Sequence, residues 1–229
     1  LPLDLQTVLS SDPDPKVRIA LLRSGELPIA LRESLARDLD PIVRSHALEP
    51  GGFAPSFYTE LVGAGERCLS PNCIAEIEDE ATLMTLAMSG EEFVDRSLYG
   101  GVTRTSAQGA ILSRRQVPPS VLEALAMTPS HRRQIAGRND VPSTLLSEFL
   151  EDPDERVVTA ALENPRVEEG QMRRALAQRQ SEARGRSVVH NPNSPHDLIE
   201  AAFKEFGGSK LGVNYWVENV SWLALKLSG

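Results

Sequence analysis

The sequence predicts an all-α fold: a stack of about eight short two-helix repeats of 24–27 residues, running through 1–229 as a single helical-repeat domain. Three observations predict it. The phrase "SDPDPKVRIALLRSGELP", Ser11 to Pro28, returns 140 residues later as "EDPDERVVTAALENPRVE", Glu151 to Glu168, with Pro13 on Pro153, Val17 on Val157 and Ala20 on Ala160. A proline or similar residue opens each unit, and apolar residues follow three and seven positions downstream, the spacing of one helical face. Aromatic residues make up only 5% of a chain that is 41% apolar, which suits helices packed by Leu, Ala and Val better than aromatic-rich strands. One such helix pair cannot bury its own apolar face, whereas a stack shares one core, so the phrase has to recur.

The first helix of each unit follows its opening residue. Pro2 leads to Leu5 and Leu9, Pro28 to Leu31 and Leu35, Pro55 to Tyr58 and Val62, and Glu80, without proline, to Leu83 and Ala87. Pro118 leads to Val121 and Leu125, Pro142 to Leu145 and Phe149, and Pro195 to Leu198 and Ala202. Proline is expected at the first helical position, where its missing N–H costs nothing. The second helix begins at Asp12-Pro13-Asp14-Pro15, Asp40-Pro41, Thr128-Pro129-Ser130 and Asp152-Pro153-Asp154, where a short oxygen side chain can accept from free amides. It reads Val17 to Leu22, Ile42 to Arg44, Arg132 to Ala136 and Val157 to Leu162. It closes on Ser24-Gly25, Pro50-Gly51-Gly52, Asn139-Asp140, Asn164-Pro165 or Asn191-Pro192, residues expected to stop a helix by entering the left-handed region or by lacking an N–H.

This period and wording resemble the variant leucine-rich repeat family, whose units read "LP..LL..LA.DPDP.VR.A.A.NP", most clearly in units one, two, five and six. The resemblance implies a right-handed α-solenoid, a superhelix of alternating short helices without strands. HEAT and armadillo solenoids are similar in kind, with a longer period of roughly 40 residues. Some members of the family carry an iron–sulfur segment ahead of the repeats. Here the two cysteines, Cys68 and Cys73, fall short of the four thiolates such a cluster takes, so no cofactor is expected.

Basic residues number 24 against 32 acidic ones, a net charge of −8, which works against long-range attraction to nucleic acid or anionic lipid. From Arg104 to His190 the balance changes to 13 basic and 11 acidic residues. No apolar run approaches the roughly 18 residues a bilayer span needs. Two cysteines do not make a disulfide scaffold, and a bacterial cytoplasmic location is expected. Leu1 in place of an initiating methionine is expected to mark a trimmed start. The histidines, His46, His131, His190 and His196, show no metal-binding spacing, and no metal site is expected. Cys68 and Cys73 flank a helix start at Ser70-Pro71, where they are either structural or incidental or, with a thiolate stabilised by the dipole, available for redox or metal chemistry.

Two departures from the repeat are candidate sites. The fourth repeat, 80–116, is about ten residues too long, and its excess "EEFVDRSLYGGVTRTS" offers Phe93, Tyr99 and a Gly100-Gly101 hinge as a recognition loop or a tolerated surface insertion. The final segment, 207–229, gathers Tyr215, Trp216 and Trp222 either as a cap on the last unit or as a partner-docking patch. Arginines recur on the second helices at Arg18 and Arg44, with Arg132, Arg133, Arg184 and Arg186 in later units. They either form a ladder for an acidic partner or pair with carboxylates of the adjacent turns. Catalytic motifs such as a P-loop or GxSxG are absent from the sequence. The expected function is therefore a non-catalytic protein–protein interaction scaffold, no enzyme, with a protein partner. The alternative is a nucleic-acid-binding or DNA-repair-like helical-repeat protein using the arginine-rich middle.

Overall fold

The computed structural model describes residues 1–66, 69–89, 92–96, 102–178 and 181–207, with the backbone alone for 92–96 and 102–105. Helices dominate: fifteen of them, six to eleven residues long, make up the framework of the described residues. The chain divides into two compact units, Leu1–Ala124 and Leu125–Gly229.

The first unit runs through α1 (Leu3–Ser10), α2 (Pro15–Arg23), α3 (Ile29–Leu35), α4 (Pro41–Leu48), α5 (Pro55–Gly63), α6 (Pro71–Glu76), α7 (Glu80–Ser89) and α8 (Ala107–Leu112). In it α1 packs on α2 and α3, α2 and α3 on α4, α5 on α7, and α8 on both α6 and α7. Next comes α9 (Pro119–Ala126), which spans the division. The second unit continues with α10 (Pro129–Ala136), α11 (Ser143–Phe149), α12 (Glu155–Leu162), α13 (Glu169–Gln178), α14 (Glu182–His190) and α15 (His196–Phe206). Here α10 and α11 pack on each other and on α12, α12 on α14, and α14 on α13 and α15. In both units a helix meets its chain neighbour or the helix two places along.

The helix starts follow from local chemistry. Asp14 and Asp154 accept from the amides of Lys16 and Arg156, Asp40 from those of Ile42 and Val43, and Ser70 from that of Cys73. Each relieves a free donor of the first turn. The opening prolines of the first helices sit one residue earlier than expected. Pro2, Pro28, Pro142 and Pro195 are N-caps with extended ψ of 139–149°, and only Pro55 stands inside its helix. With no hydroxyl or carboxylate to give, these prolines act through a fixed φ near −60° that presets the chain for entry. The predicted stripe is the core: Leu35, Tyr58, Val62, Leu83, Ala87, Val121, Leu125, Leu145, Phe149, Leu198 and Ala202 are all buried. Leu9 and Leu31 are half-buried, and Leu5 departs further, 41% exposed on α1, a helix that buries no side chain fully.

The lengthened fourth repeat departs from a superhelix without strands. Its chain forms an antiparallel hairpin, β1 (Glu92–Arg96) and β2 (Val102–Ser106), with Glu92 opposite Ser106 and Arg96 opposite Val102. β2 leads directly into α8, whose first turn is capped by Ser106 accepting from Gly109 N at 2.9 Å. Phe93, Val94, Val102, Thr103 and Thr105 are the aromatic and β-branched residue types that suit strands. Tyr99 and the Gly100-Gly101 pair lie outside the described residues, as do Tyr215, Trp216 and Trp222.

The helix ends hold a second correction. Gly25, Gly51 and Gly52 take positive φ as glycines do, but no described non-glycine residue does, so Asn164 and Asn191 are not left-handed stops. They are buried, 2% and 0% exposed, and work as bridges between successive second helices. Asn164 Nδ2 donates to the carbonyls of Ala136 and Arg138, both at 2.8 Å, and its Oδ1 accepts from Arg166 N. Asn191 repeats the pattern two helices on, after α14, donating to Leu162 O at 2.6 Å and Asn164 O at 2.8 Å and accepting from Asn193 N. Each amide thereby covers carbonyls that the end of a helix leaves open.

Replacing Asn191 by Ala removes a donor from two buried carbonyls at the end of α12, that of Leu162 and that of Asn164, which keeps its bond from Val167 N. The expected loss is on the order of 2 kcal/mol, a fall of about 4–8 °C in melting temperature, read by calorimetry or circular dichroism. An unchanged melting temperature would show that these carbonyls do not need the amide.

Candidate functional site

The recurrent arginines of the second helices are engaged within the chain. Arg18, on α2, forms a two-point ion pair with Asp38, Nε to Oδ2 at 2.7 Å and Nη2 to Oδ1 at 2.8 Å, while Nη1 donates to Asp12 O at 2.6 Å. Arg44, on α4, repeats the geometry, giving Nε to Glu66 at 2.8 Å and Nη1 to Asp38 O at 3.0 Å. Arg132, on α10, gives Nη1 to Asp152 at 3.1 Å and Nε to Ala126 O at 2.9 Å. The rule is common to all three: the guanidinium caps the carbonyl six residues back in its own turn and reaches a carboxylate 20 or 22 residues ahead. Its planar fork suits two differently placed acceptors, which a lysine could not serve together.

The same turns explain the doubled aspartates. Asp38 and Asp152 each fold back onto the backbone, accepting from the amides of Asp40 and Asp154 at 2.8 Å, and so stand where the arginine of the preceding helix pair arrives. The second aspartate of each turn then caps the next helix. Burial pushes the Asp38 carboxyl up, but hydrogen bonds from Arg18 and the Asp40 amide, with the charges of Arg18 and Arg44, outweigh it and hold it below the ordinary carboxylate range.

Arg184 is tied in the opposite direction. Its Nε meets Glu155 at 3.0 Å and its Nη1 donates to Ala175 O at 2.6 Å, with the side chain buried. Arg186 pairs with Glu182 one turn back at 3.0 Å. Arg133 is exposed on α10. Phe93 lies on β1, where only the backbone is described.

The cysteine site has the reverse of an activated thiol. Cys68 lies outside the described residues. Cys73 is buried, its Sγ donating to Leu48 O at 2.8 Å, and burial pushes the thiol up, with the Glu76 charge adding to this and hydrogen bonds with Ser70 and Tyr58 opposing it. Beside it Tyr58 donates to Glu76, which also accepts twice from Gly52 N, at 3.0 and 2.8 Å. Gly51, at φ +68°, leaves room for that carboxylate: a Cβ there would stand 2.9 Å from Glu76 Oε1. This network fastens α5, α6 and the turn after α4. Among the described residues no group of three His, Cys, Asp or Glu is placed to hold a metal ion, and no helix is long and apolar enough to cross a membrane.

What the sequence reading missed lies between α2 and α4. Lys16, Ile19, Ala20 and Arg23 face Ile42 and His46 across an open groove of about 510 Å³. Ile42 is 45% exposed, Ile19 is half-buried, and Lys16 and Arg23 stand at the surface. Nη2 of Arg23 lies 3.1 Å from Nε2 of His46. A guanidinium only donates, so this nitrogen accepts and the ring proton sits on Nδ1, where Glu49 Oε2 lies 3.6 Å away. No family model, curated protein or solved structure matches the chain.

Because the Asp38 carboxyl is lowered in the folded state, its tie to Arg18 stabilises at neutral pH and is lost as acid protonates it. Asp38→Asn is expected to melt below the parent at pH 7, and the two curves are expected to converge as pH falls below about 4. A gap that persists unchanged into acid would contradict the tie.

Proposed function

We propose that the chain is a right-handed helical solenoid of about eight two-helix units, of the variant leucine-rich repeat kind, acting as a non-catalytic protein-interaction scaffold in the cytoplasm. The observation that carries this reading is a constant frame under a variable face. The ties between successive helix pairs recur at fixed spacing, Arg18 to Asp38 and Arg132 to Asp152 alike. The outward residues of the second helices do not recur: Ile19 and Arg23 on α2 correspond to Thr159 and Glu163 on α12, a helix that has Val158 in the place of Arg18. An array that repeats its inner contacts and varies its outer ones displays a different surface at each step, which is how repeat proteins recognise extended partners.

The ion pairs also weigh against the nucleic-acid alternative. Arg132, Arg184 and Arg186 of the arginine-rich middle are held by carboxylates, so they bring little unneutralised charge to a phosphate backbone. The hairpin is an appendage on this frame. Excising residues 91–104 is expected to leave the helical circular dichroism signal and the melting temperature within about 2 °C of the parent. Affinity purification is expected to recover a saturable protein partner with the intact chain. Retention on DNA resin with a steep salt dependence, and no protein partner, would overturn the scaffold reading.

A further inference from the structure

We infer that the groove between α2 and α4 is a docking site for an acidic protein segment that carries aliphatic side chains, a conclusion that rests on the scaffold reading above. The floor is apolar, made by Ile19, Ala20 and Ile42, and the rim carries Lys16 and Arg23. Eight arginines elsewhere in the frame, Arg18, Arg37, Arg44, Arg132, Arg138, Arg173, Arg184 and Arg186, have a carboxylate in reach. Arg23 faces an imidazole instead, and the backbone amide of Lys16 donates to Asp14 while its ammonium stands at the rim. Among the described residues neither cation has a carboxylate partner, and both border exposed isoleucine on a chain of net charge −8. Attraction therefore selects a negatively charged segment, and the isoleucines reward one that also brings apolar side chains.

The molecule contains its own control. A shift of 140 residues carries the groove onto α12 and α14, turning Lys16, Ile19, Arg23, Ile42 and His46 into Arg156, Thr159, Glu163, Glu182 and Arg186. There the rim carries both signs: Glu182 accepts from Arg186, and Glu163, in the place of Arg23, accepts from Ser187, both at 3.0 Å. The floor has become polar through Thr159 and Glu182. One architecture thus appears once with an apolar floor and two cations on its rim and once with a polar floor and charges of both signs. The frame does not require the isoleucines or the open charges, since the second version does without both.

The test uses the full chain and an array of fluorescein-labelled twelve-residue peptides in which two leucines at varied spacing are flanked by glutamates, with a matched array flanked by lysines. Fluorescence polarisation is expected to show binding of glutamate-flanked members and none of the lysine-flanked ones. The Lys16→Glu/Arg23→Glu variant is expected to weaken that binding about tenfold or more, and raised salt to weaken it in the parent. Ile19→Thr/Ile42→Glu, which writes the second version of the groove into the first, is expected to do the same while the melting temperature holds. Binding that survives both double variants overturns the groove and leaves the scaffold reading intact, because another face is then in use. A chain that retains a protein partner yet binds no glutamate-flanked peptide overturns the groove in the same way. Recovery of no partner and no peptide overturns both.

Discussion

A helix of eight residues has almost no interior. Four amides at its start and four carbonyls at its end lack partners along the helix, so nearly every backbone group needs help from outside. Such a helix is also far too short to persist alone in water. Fifteen helices of six to eleven residues can therefore exist only if neighbouring segments satisfy one another's ends. That constraint explains why the polar side chains of this protein are so largely spent at the junctions between helix pairs.

Three devices meet it. Aspartate and serine caps serve the starts of the second helices. Asparagine amides serve their ends in the second unit, where Asn191 bonds to the residue that is itself the previous rung, Asn164. In the first unit arginine plays this part, with Arg32 donating to Ala47 O and Gly51 O, and Arg114 to Ile77 O at 2.7 Å. Burial lowers the Arg114 pKa from a value high enough that its charge is retained. Aromatic contacts reinforce the first unit, with Arg32 4.5 Å over the Phe53 ring and Arg37 4.3 Å over that of Phe57.

Much of the frame was legible because its rules are local. Pro and Asp mark where a helix starts, and the spacing of Leu, Val and Ala marks which side faces inward. The asparagine rungs were not legible as such, since "NP" after an apolar run reads equally well as a stop. The available signal was their separation by one repeat length, Asn164 and Asn191, at the same place in the phrase. The hairpin was missed because a glycine pair inside an over-long repeat suggests a loop, although the flanking residues include aromatic and β-branched types that favour strands. The groove was hidden by its own composition. Six of the nine residues of α2 are proline or aliphatic, too many for a helix that fully buries only Leu21, so some of them had to face out. Which ones do so depends on the neighbouring α4, and a single helix cannot show it.

The arginine ties occupy side chains that would otherwise form a basic ladder. The claim beneath this is that each tie joins one helix pair to the next rather than decorating the surface. Its most direct test is a double-mutant cycle on Arg132 and Asp152, using Arg132→Met and Asp152→Asn in denaturant unfolding. A joining tie predicts that the losses of the single variants are non-additive, with a coupling of about 1 kcal/mol or more. Losses that add to within about 0.3 kcal/mol would contradict it.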